Sequence, residues 1–321
     1  MGAGCPSALP IRLSSLRKPG ATVAVGEDFG TSKKRVKTMW LPLVVGVDGS
    51  DSSMLALDWA VHEAARLALP LKIVHATAED DCATNPLGQD TARHVVDAAE
   101  LRAHLHAPDV KVTTEVVHED PVTALLNADC NASALVTGAR GRGELKDLLL
   151  GSVSLVVAAR AQCPVVVVRD EDGPTAEHYG QIMIGVPDAR SSSEAVHFAF
   201  EIAAARGCSL DAVMAWHRPA RTSISRMLDL PRHDDQDGHR AKALLDEALT
   251  GSADEFPSVD VHHIVVEGPA RDVLLKRSET TDLLVVGAQG RLDRVGLHLG
   301  RVNHALLHYA ACPVAVVPQW R

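Results

Sequence analysis

The segment TGARGRGELKDLLLGSVS, residues 137–154, places glycines at the end of an apolar run and again at the start of an apolar helical stretch. Gly138 and Gly141 have no Cβ atom, so a flat or anionic ligand can approach their backbone closely. After nine further residues, Gly151 and Ser152 begin the helical stretch, whose first N–H groups attract phosphate. The pattern G-x-x-G, nine residues, G-S therefore predicts a cradle for a phosphate-bearing ligand.

The elements that must position this cradle alternate between strands and helices. The apolar run LPLVVGV begins at Leu41 and ends in the turn DGS, and the residues after it carry apolar side chains at helical spacing, among them Leu55 and Trp59. Further strands are predicted at 71–78, 109–119, 134–139 and 164–168, with helices at 90–106, 121–130 and 152–162. This alternation is typical of a doubly wound α/β fold, in which ligands bind beyond the carboxyl ends of the parallel strands. Gly138 lies at such an end.

The second half of the chain repeats the first. The pair Trp59 and Ala60 corresponds to Phe198 and Ala199, 139 positions later, whereas Gly138 corresponds to Gly287, 149 positions later. The difference places about ten extra residues in a polar stretch of the second half, residues 218–238. A charged linker, RDEDGPTAE, separates the halves. We predict two tandem domains, 39–170 and 178–321, each a five-stranded parallel sheet flanked by helices, after a disordered tail over 1–38.

Composition restricts the class of partner. The chain has 321 residues, of which 46% are hydrophobic and only 3% aromatic, so its cores must consist of Val, Leu, Ile and Ala. The formal net charge of −9 disfavours nucleic acid and anionic membrane surfaces as partners. Six dispersed cysteines are typical of a reducing compartment, and neither a signal peptide nor a run long enough to span a bilayer is evident. We expect a cytoplasmic protein.

The glycine pattern occurs in both halves, and with it the chain resembles a tandem member of the universal stress protein family over roughly residues 40–318. The two copies are Gly138, Gly141, Gly151 with Ser152, and Gly287, Gly290 with Gly300. The resemblance implies two flavodoxin-like domains, of the adenine nucleotide alpha hydrolase-like type. It also implies that ATP, with or without Mg²⁺, is held between the end of strand one and the glycine cradle.

The resemblance assigns ligand roles to residues of the first domain. Asp48 would contact the nucleoside, together with backbone near Val47 and with Ala76 at the end of strand two. The ribose and phosphates would be lined by Gly138, Arg140 and Gly141, and the phosphate tail would be held by Gly151, Ser152, Val153 and Ser154. The residues themselves leave alternatives open, because Asp48 also suits a helix-capping turn and Arg140 also suits a solvated loop.

The second domain departs from the pattern where a ligand would bind. Pro187 replaces Asp48, which removes both a carboxylate and a backbone N–H. Arg301 replaces Ser152, where it could pair with phosphate or fill an empty cleft. We predict a weak or lost second site at Gly287, Gly290, Gly300 and Arg301. The chain would then bind one nucleotide strongly.

Two functional classes fit this site. The first is a nucleotide-dependent regulatory or sensor module of the stress response, with no catalytic residue. The alternative is a slow ATP hydrolase with a single active site in the first domain, for which Glu144 and Asp147 are the only carboxylates inside the cradle loop. The sequence predicts no metal site, since no established set of Cys and His ligands is present.

Assembly is indicated by the last strand of each half. PVVVV at 164–168 and PVAVV at 313–317 are apolar, and exposed apolar edge strands seek partners. We expect the two halves to pair as an internal pseudo-dimer, with a homodimer of chains as a further arrangement. A regulatory protein of unidentified type would be the remaining partner.

Overall fold

The computed structural model describes residues 41–77, 86–141, 150–169, 179–187, 193–216, 236–289 and 299–319. The strands are β1 Leu43–Gly46, β2 Leu71–Ala76, β3 Val112–Val117, β4 Ala134–Gly138, β5 Val165–Val168, β6 Gln181–Gly185, β7 Ser209–Trp216, β8 Val261–Glu267, β9 Leu283–Gln289 and β10 Val314–Gln319. The helices are α1 Asp51–Leu67, α2 Pro86–His106, α3 Pro121–Ala128, α4 Ser152–Arg160, α5 Ser193–Arg206, α6 Gln236–Glu255, α7 Ala270–Ser278 and α8 Arg301–Tyr309, and a short 3-10 helix spans Asp129–Asn131. The predicted tail over 1–38 lies outside the described residues.

All ten strands form one sheet, in the order β3-β2-β1-β4-β5-β10-β9-β6-β7-β8. Within each half the five strands are parallel and follow the order 3-2-1-4-5. The doubly wound fold class predicted from the sequence is confirmed. In each half the strand order reverses between the first and fourth strands, which opens a crevice at their carboxyl ends. That is the crevice in which the glycine cradle was predicted.

The halves join through β5 and β10, which pair antiparallel as the predicted internal pseudo-dimer requires. Val166 lies opposite Ala315, and the pairs on either side are Val165 with Val316 and Val167 with Val314. Because residues 149 apart correspond, this register is symmetric about the central pair. The seam therefore continues the sheet from one half into the other and covers both apolar edges.

Buried aliphatic side chains pack on both faces of the sheet, as expected for helix-covered parallel strands. One face packs against α1, α2, α5 and α6 and includes Val45, Leu57 and Phe200. The other face packs against α3, α4, α7 and α8 and includes Val44 and Leu274. Each face forms one core that runs through both halves.

The register of the outer strands locates the extra residues of the second half. Leu71 pairs with Val112, and their counterparts Leu210 and Val261 pair likewise. The offset between the halves is thus 139 at β7 and 149 at β8, so the insertion lies between these strands, as predicted. Residues 217–235, which include most of the polar stretch predicted to hold the insertion, are outside the described ranges. In the part of the chain that the structure describes, no helix is long and apolar enough to cross a membrane.

Candidate functional site

A network of side chains at the end of β1 holds Asp48. The backbone N–H of Ser50 donates to Asp48 Oδ1 at 2.9 Å, and the Ser50 hydroxyl donates to the same oxygen. Ser50 is also the N-cap of α1, where its Oγ accepts from the Ser53 N–H at 3.2 Å. The helix-capping role of this turn is therefore real. It places the second carboxylate oxygen, Oδ2, next to Gly141, where a Cβ would lie 2.8 Å from it.

Gly138 ends β4 directly against the first turn of α1. A Cβ at this position would lie 2.5 Å from the carbonyl oxygen of Ser52 and 2.7 Å from its Oγ, closer than any real Cβ contact. The buried Ser52 hydroxyl also accepts from the Arg140 N–H at 3.1 Å. Ser52 thus ties the cradle loop to α1. Sequence analysis missed this residue, because its partners are distant in the chain.

Gly151 is the N-cap of α4 and lies beside the cradle. Its N–H donates to the Ala139 carbonyl at 2.6 Å, and as a glycine N-cap it offers no side chain to the first N–H groups of the helix. Ser152 is exposed at this helix start, and Val153 follows it half-buried. Ser154 is buried, and its hydroxyl donates to the Gly138 carbonyl at 2.6 Å. The Ser154 hydroxyl therefore holds the end of β4, and its proton is used by the Gly138 carbonyl.

The remaining predicted residues lie at the ends of β1 and β2. Val47 is buried, and both its backbone groups are paired: its N–H donates to the Val74 carbonyl at 2.9 Å, and its carbonyl lies 2.7 Å from His75 Nδ1. His75 is itself buried, so its ring helps to position the end of β1. Ala76 ends β2 half-buried.

The structure thus brings Asp48, Gly138, Arg140, Gly141 and Gly151 to one crevice. Arg140 and Gly141 are exposed there, so a ligand can reach them from solvent. The carboxylates considered for hydrolysis, Glu144 and Asp147, lie outside the described residues. Among the residues that the structure does describe, no cluster of three His, Cys, Asp or Glu side chains could hold a metal ion.

The second half contains a cavity of about 400 Å³ at the equivalent place, which we call the second cavity. Its lining includes the counterparts of seven predicted ligand residues of the first domain: Val186, Pro187, Ala215, Gly287, Gly300, Val302 and Asn303. Of the residues predicted for a weak second site, Gly287 and Gly300 line the cavity. Arg301 is exposed and is not among its lining residues, and Gly290 lies outside the described ranges.

In both crevices a side chain donates a hydrogen bond to the carbonyl of the first cradle glycine, but the two crevices differ in polarity. Asn303 replaces Ser154, and its Nδ2 donates to the Gly287 carbonyl at 2.9 Å, as the serine hydroxyl does to Gly138. Three polar side chains near this hydrogen bond in the first half have apolar counterparts in the second: Pro187 for Asp48, Met214 for His75 and Val286 for Thr137.

These features define a class of protein: a tandem of two doubly wound α/β domains, joined edge to edge, whose first crevice is built from glycine backbone beside a carboxylate. The chain belongs to the universal stress protein family, whose model matches residues 39–169 and 178–318.

Relatives of similar length support this membership. The chain is 35% identical over 293 residues to universal stress protein Rv2005c from Mycobacterium tuberculosis, covering 86% of this chain and 97% of the relative. It is 32% identical to universal stress protein Rv2623 from the same organism, covering 86% and 96%. A crystal structure of a universal stress protein from Archaeoglobus fulgidus superposes with a TM-score of 0.65 at 17% identity, over 86% of this chain and 98% of that one. That likeness supports the fold.

Proposed function

We propose that the first domain, residues 39–170, binds one adenine nucleotide, with ATP as the expected ligand, and that the protein is a nucleotide-dependent regulatory module of the stress response. One observation carries the proposal: at the crevice where the strand order reverses, Gly138 cannot accept a Cβ and Gly141 lies against the Asp48 carboxylate. Gly138 thereby lets β4 pack closely against α1, and the exposed main chain of Gly141 lies beside a carboxylate. Exposed main chain next to a carboxylate is suited to a ligand that contacts backbone and offers hydroxyl groups.

The residues of the crevice divide the recognition of such a ligand between them. The Asp48 carboxylate is an acceptor suited to ribose hydroxyls, since an ionised carboxylate only accepts hydrogen bonds. The first N–H groups of α4, which receive no side-chain cap, are suited to phosphate oxygens. Arg140 adds a positive charge at the exposed rim. ATP would bring the negative charge that these groups match, with Mg²⁺ as its counterion.

A regulatory role is supported by the solvent exposure of two cradle residues. Arg140 and Gly141 are exposed, so a nucleotide in the crevice changes the surface that a protein partner meets. No catalytic group is needed for this function. In the cytoplasm, where ATP is abundant, occupancy of the crevice would report on the nucleotide supply.

The proposal is tested by calorimetric titration of ATP, with and without Mg²⁺, into the full-length chain. We expect one site per chain, weakened about tenfold to a hundredfold by Asp48→Asn because a hydrogen bond to a charged group is lost. Gly141→Val should abolish binding by filling the cradle. Asp51→Asn removes the same charge from an exposed residue in the first turn of α1 and should leave binding unchanged. A folded chain that gives no heat with millimolar ATP refutes the proposal, and two equal sites refute the one-site stoichiometry.

A further inference from the structure

One buried hydroxyl beside the glycine cradle of the first half has no hydrogen-bond partner. Thr137 precedes Gly138 in β4 and is only 4% exposed, yet its Oγ1 bonds to no group in the part of the chain that the structure describes. Leaving a buried hydroxyl unpaired costs free energy, and few such groups occur in native structures. The position of this hydroxyl therefore calls for an explanation beyond packing.

The second half shows which way this position of the fourth strand faces. Leu135 and Ala139, two residues to either side of Thr137, belong to the core face that packs against α3 and α4, so Thr137 lies on that face as well. The counterpart of Thr137 is Val286, which lines the second cavity, and its Cγ1 lies 3.5 Å from the point where a Cβ of Gly185 would be. Gly185 ends β6, the first strand of that half. Thr137 therefore occupies the position that faces the end of the first strand, where the strand order reverses.

The fold itself does not need the hydroxyl. Val286 is 3% exposed on the same face of the sheet, so an apolar side chain of similar shape packs at this position. The other buried threonine among the described residues, Thr281, is also 4% exposed, but its hydroxyl donates to the Arg277 carbonyl at 2.9 Å. Thr137 differs from both in having an unused donor and acceptor beside the predicted ligand.

The surroundings of Thr137 suit the base of a nucleotide. Val74 and Leu125 are buried on the same core face, and their counterparts Val213 and Leu274 line the second cavity. Apolar side chains of this kind suit a flat aromatic ring, whereas phosphates suit the first N–H groups of α4 and ribose suits the carboxylate at the end of β1. An adenine ring has acceptor nitrogens and an amino donor at its edge, so a hydroxyl can bond to it in either direction.

We propose that the Thr137 hydroxyl forms a hydrogen bond with the edge of the adenine base and is the side chain that recognises the base in the first crevice. This role rests on the nucleotide site proposed above and adds to it the group that contacts the base. Because the hydroxyl is unpaired without the ligand, it destabilises the free chain and strengthens the complex. A residue with a purely structural role would not have these two opposite effects.

Thr137→Val tests both effects, and the fold should survive it because the second half has valine at this position. Calorimetric titration into the full-length chain should give an ATP affinity about three- to tenfold weaker than wild type, the worth of one hydrogen bond. The Tm of the nucleotide-free variant should rise by about 2 °C, because a buried unpaired hydroxyl is removed. Thr137→Ser keeps the hydroxyl and should bind ATP within about twofold of wild type.

Two controls locate the effect. Thr281→Val removes a buried hydroxyl that is already paired, so it should lower Tm and leave ATP affinity unchanged. Ribose 5-triphosphate keeps the sugar and the phosphates of ATP but has no base. Wild type and Thr137→Val should therefore bind it equally.

Equal ATP affinity in wild type and Thr137→Val would overturn the inference and leave the proposed nucleotide site standing. An equal loss of affinity for ribose 5-triphosphate would also overturn it, because the hydroxyl would then contact the sugar or the phosphates. The same holds if Thr137→Val lowers Tm as Thr281→Val does, since the hydroxyl would then be paired in the free chain. A wild-type chain that binds no ATP refutes the function proposed for the first domain, and this role of Thr137 with it.

Discussion

The two crevices of this chain have the same frame and opposite linings. In both, a glycine near the end of the first strand accommodates a leucine of the helix below, Gly46 with Leu125 and Gly185 with Leu274. In both, an early residue of the helix after the cradle bonds to the carbonyl at the corresponding glycine. These shared contacts hold the backbone of both crevices in the same arrangement. The side chains at the end of the first strand differ, with the Asp48 carboxylate in one half and Pro187 in the other.

The contact between the two halves also combines equivalent backbone with unlike side chains. Buried Glu63 on α1 pairs with Arg206 on α5, with Nη2 at 2.9 Å and Nε at 3.1 Å from Oε2. Symmetry across the seam would place a second pair at the corresponding positions, but Ile202 and Leu67 stand there. The ion pair therefore specifies contact between unlike halves. Two copies of the first half would leave buried Glu63 with only Arg66 of its own helix, whose Nη1 lies 3.6 Å from Glu63 Oε2 and whose side chain is partly exposed. Two copies of the second half would leave Arg206 without this carboxylate.

Breaking this pair is expected to have the largest effect on stability. Glu63 is 1% exposed, and the Arg206 guanidinium also lies 5.6 Å from the centre of the Trp59 ring. Glu63→Ala should lower the free energy of unfolding by about 3–5 kcal/mol, because it leaves a buried cation without its anion. Urea denaturation of the full-length chain measures the loss.

The matched control replaces the ion pair by its apolar counterpart. Glu63→Ile combined with Arg206→Leu reproduces the residues found at the symmetric positions and should recover most of the lost stability, since apolar pairs of similar volume often equal buried ion pairs. A loss below about 1 kcal/mol in Glu63→Ala would show that the pair does not hold the halves together.

The second largest effect comes from adding one methyl group to each cradle. Gly138→Ala forces a Cβ against the backbone of Ser52 and should cost about 1–3 kcal/mol, as overpacking does. It should also displace the loop at Arg140 and reduce ATP binding. In Gly287→Ala the added Cβ would lie 3.2 Å from Cγ of Gln319 and meets side-chain atoms only, so this substitution should cost less. Equal losses of thermal stability in the two variants would contradict the comparison.

How much of the fold and of the candidate site could be predicted depends on how far apart in the sequence the contacting residues are. The glycine cradle, the strand alternation and the two halves follow from patterns within short windows, and the fold and family they predicted are confirmed. Ser52 bonds to a residue 88 positions away, and Arg206 to one 143 positions away. No local pattern marks such contacts. The ligand roles assigned to Asp48 and to the cradle stay predictions.

A third comparison concerns the residues after α1 and α5. Ala68 has a positive φ of 54°, whereas its counterpart with φ of 64° is Gly207. A Cβ costs about 1–2 kcal/mol in this left-handed region. Ala68→Gly should therefore stabilise the chain by about 1 kcal/mol, and Gly207→Ala should destabilise it similarly, since nothing lies within 4 Å of the added atom. Shifts of the same sign in urea denaturation would contradict this reasoning.

The smallest expected effect is on thermal stability, and it concerns the N-caps of α3 and α7. Only the cap of α3 should depend on pH. Asp120 caps α3, accepting from the Val122 and Thr123 N–H groups at 3.0 and 3.2 Å, whereas Pro269 begins α7 without a side-chain cap. Hydrogen bonds from Thr123, its side chain first, lower the pKa of Asp120. The cap therefore stabilises the folded chain above the ordinary pKa of about 3.9, and its contribution is lost as pH falls through the lowered value. Asp120→Ala should reduce Tm slightly near neutral pH and converge with wild type in acid, while Pro269→Ala should show a difference independent of pH. A constant gap for Asp120→Ala would mean that the charge of the cap contributes nothing.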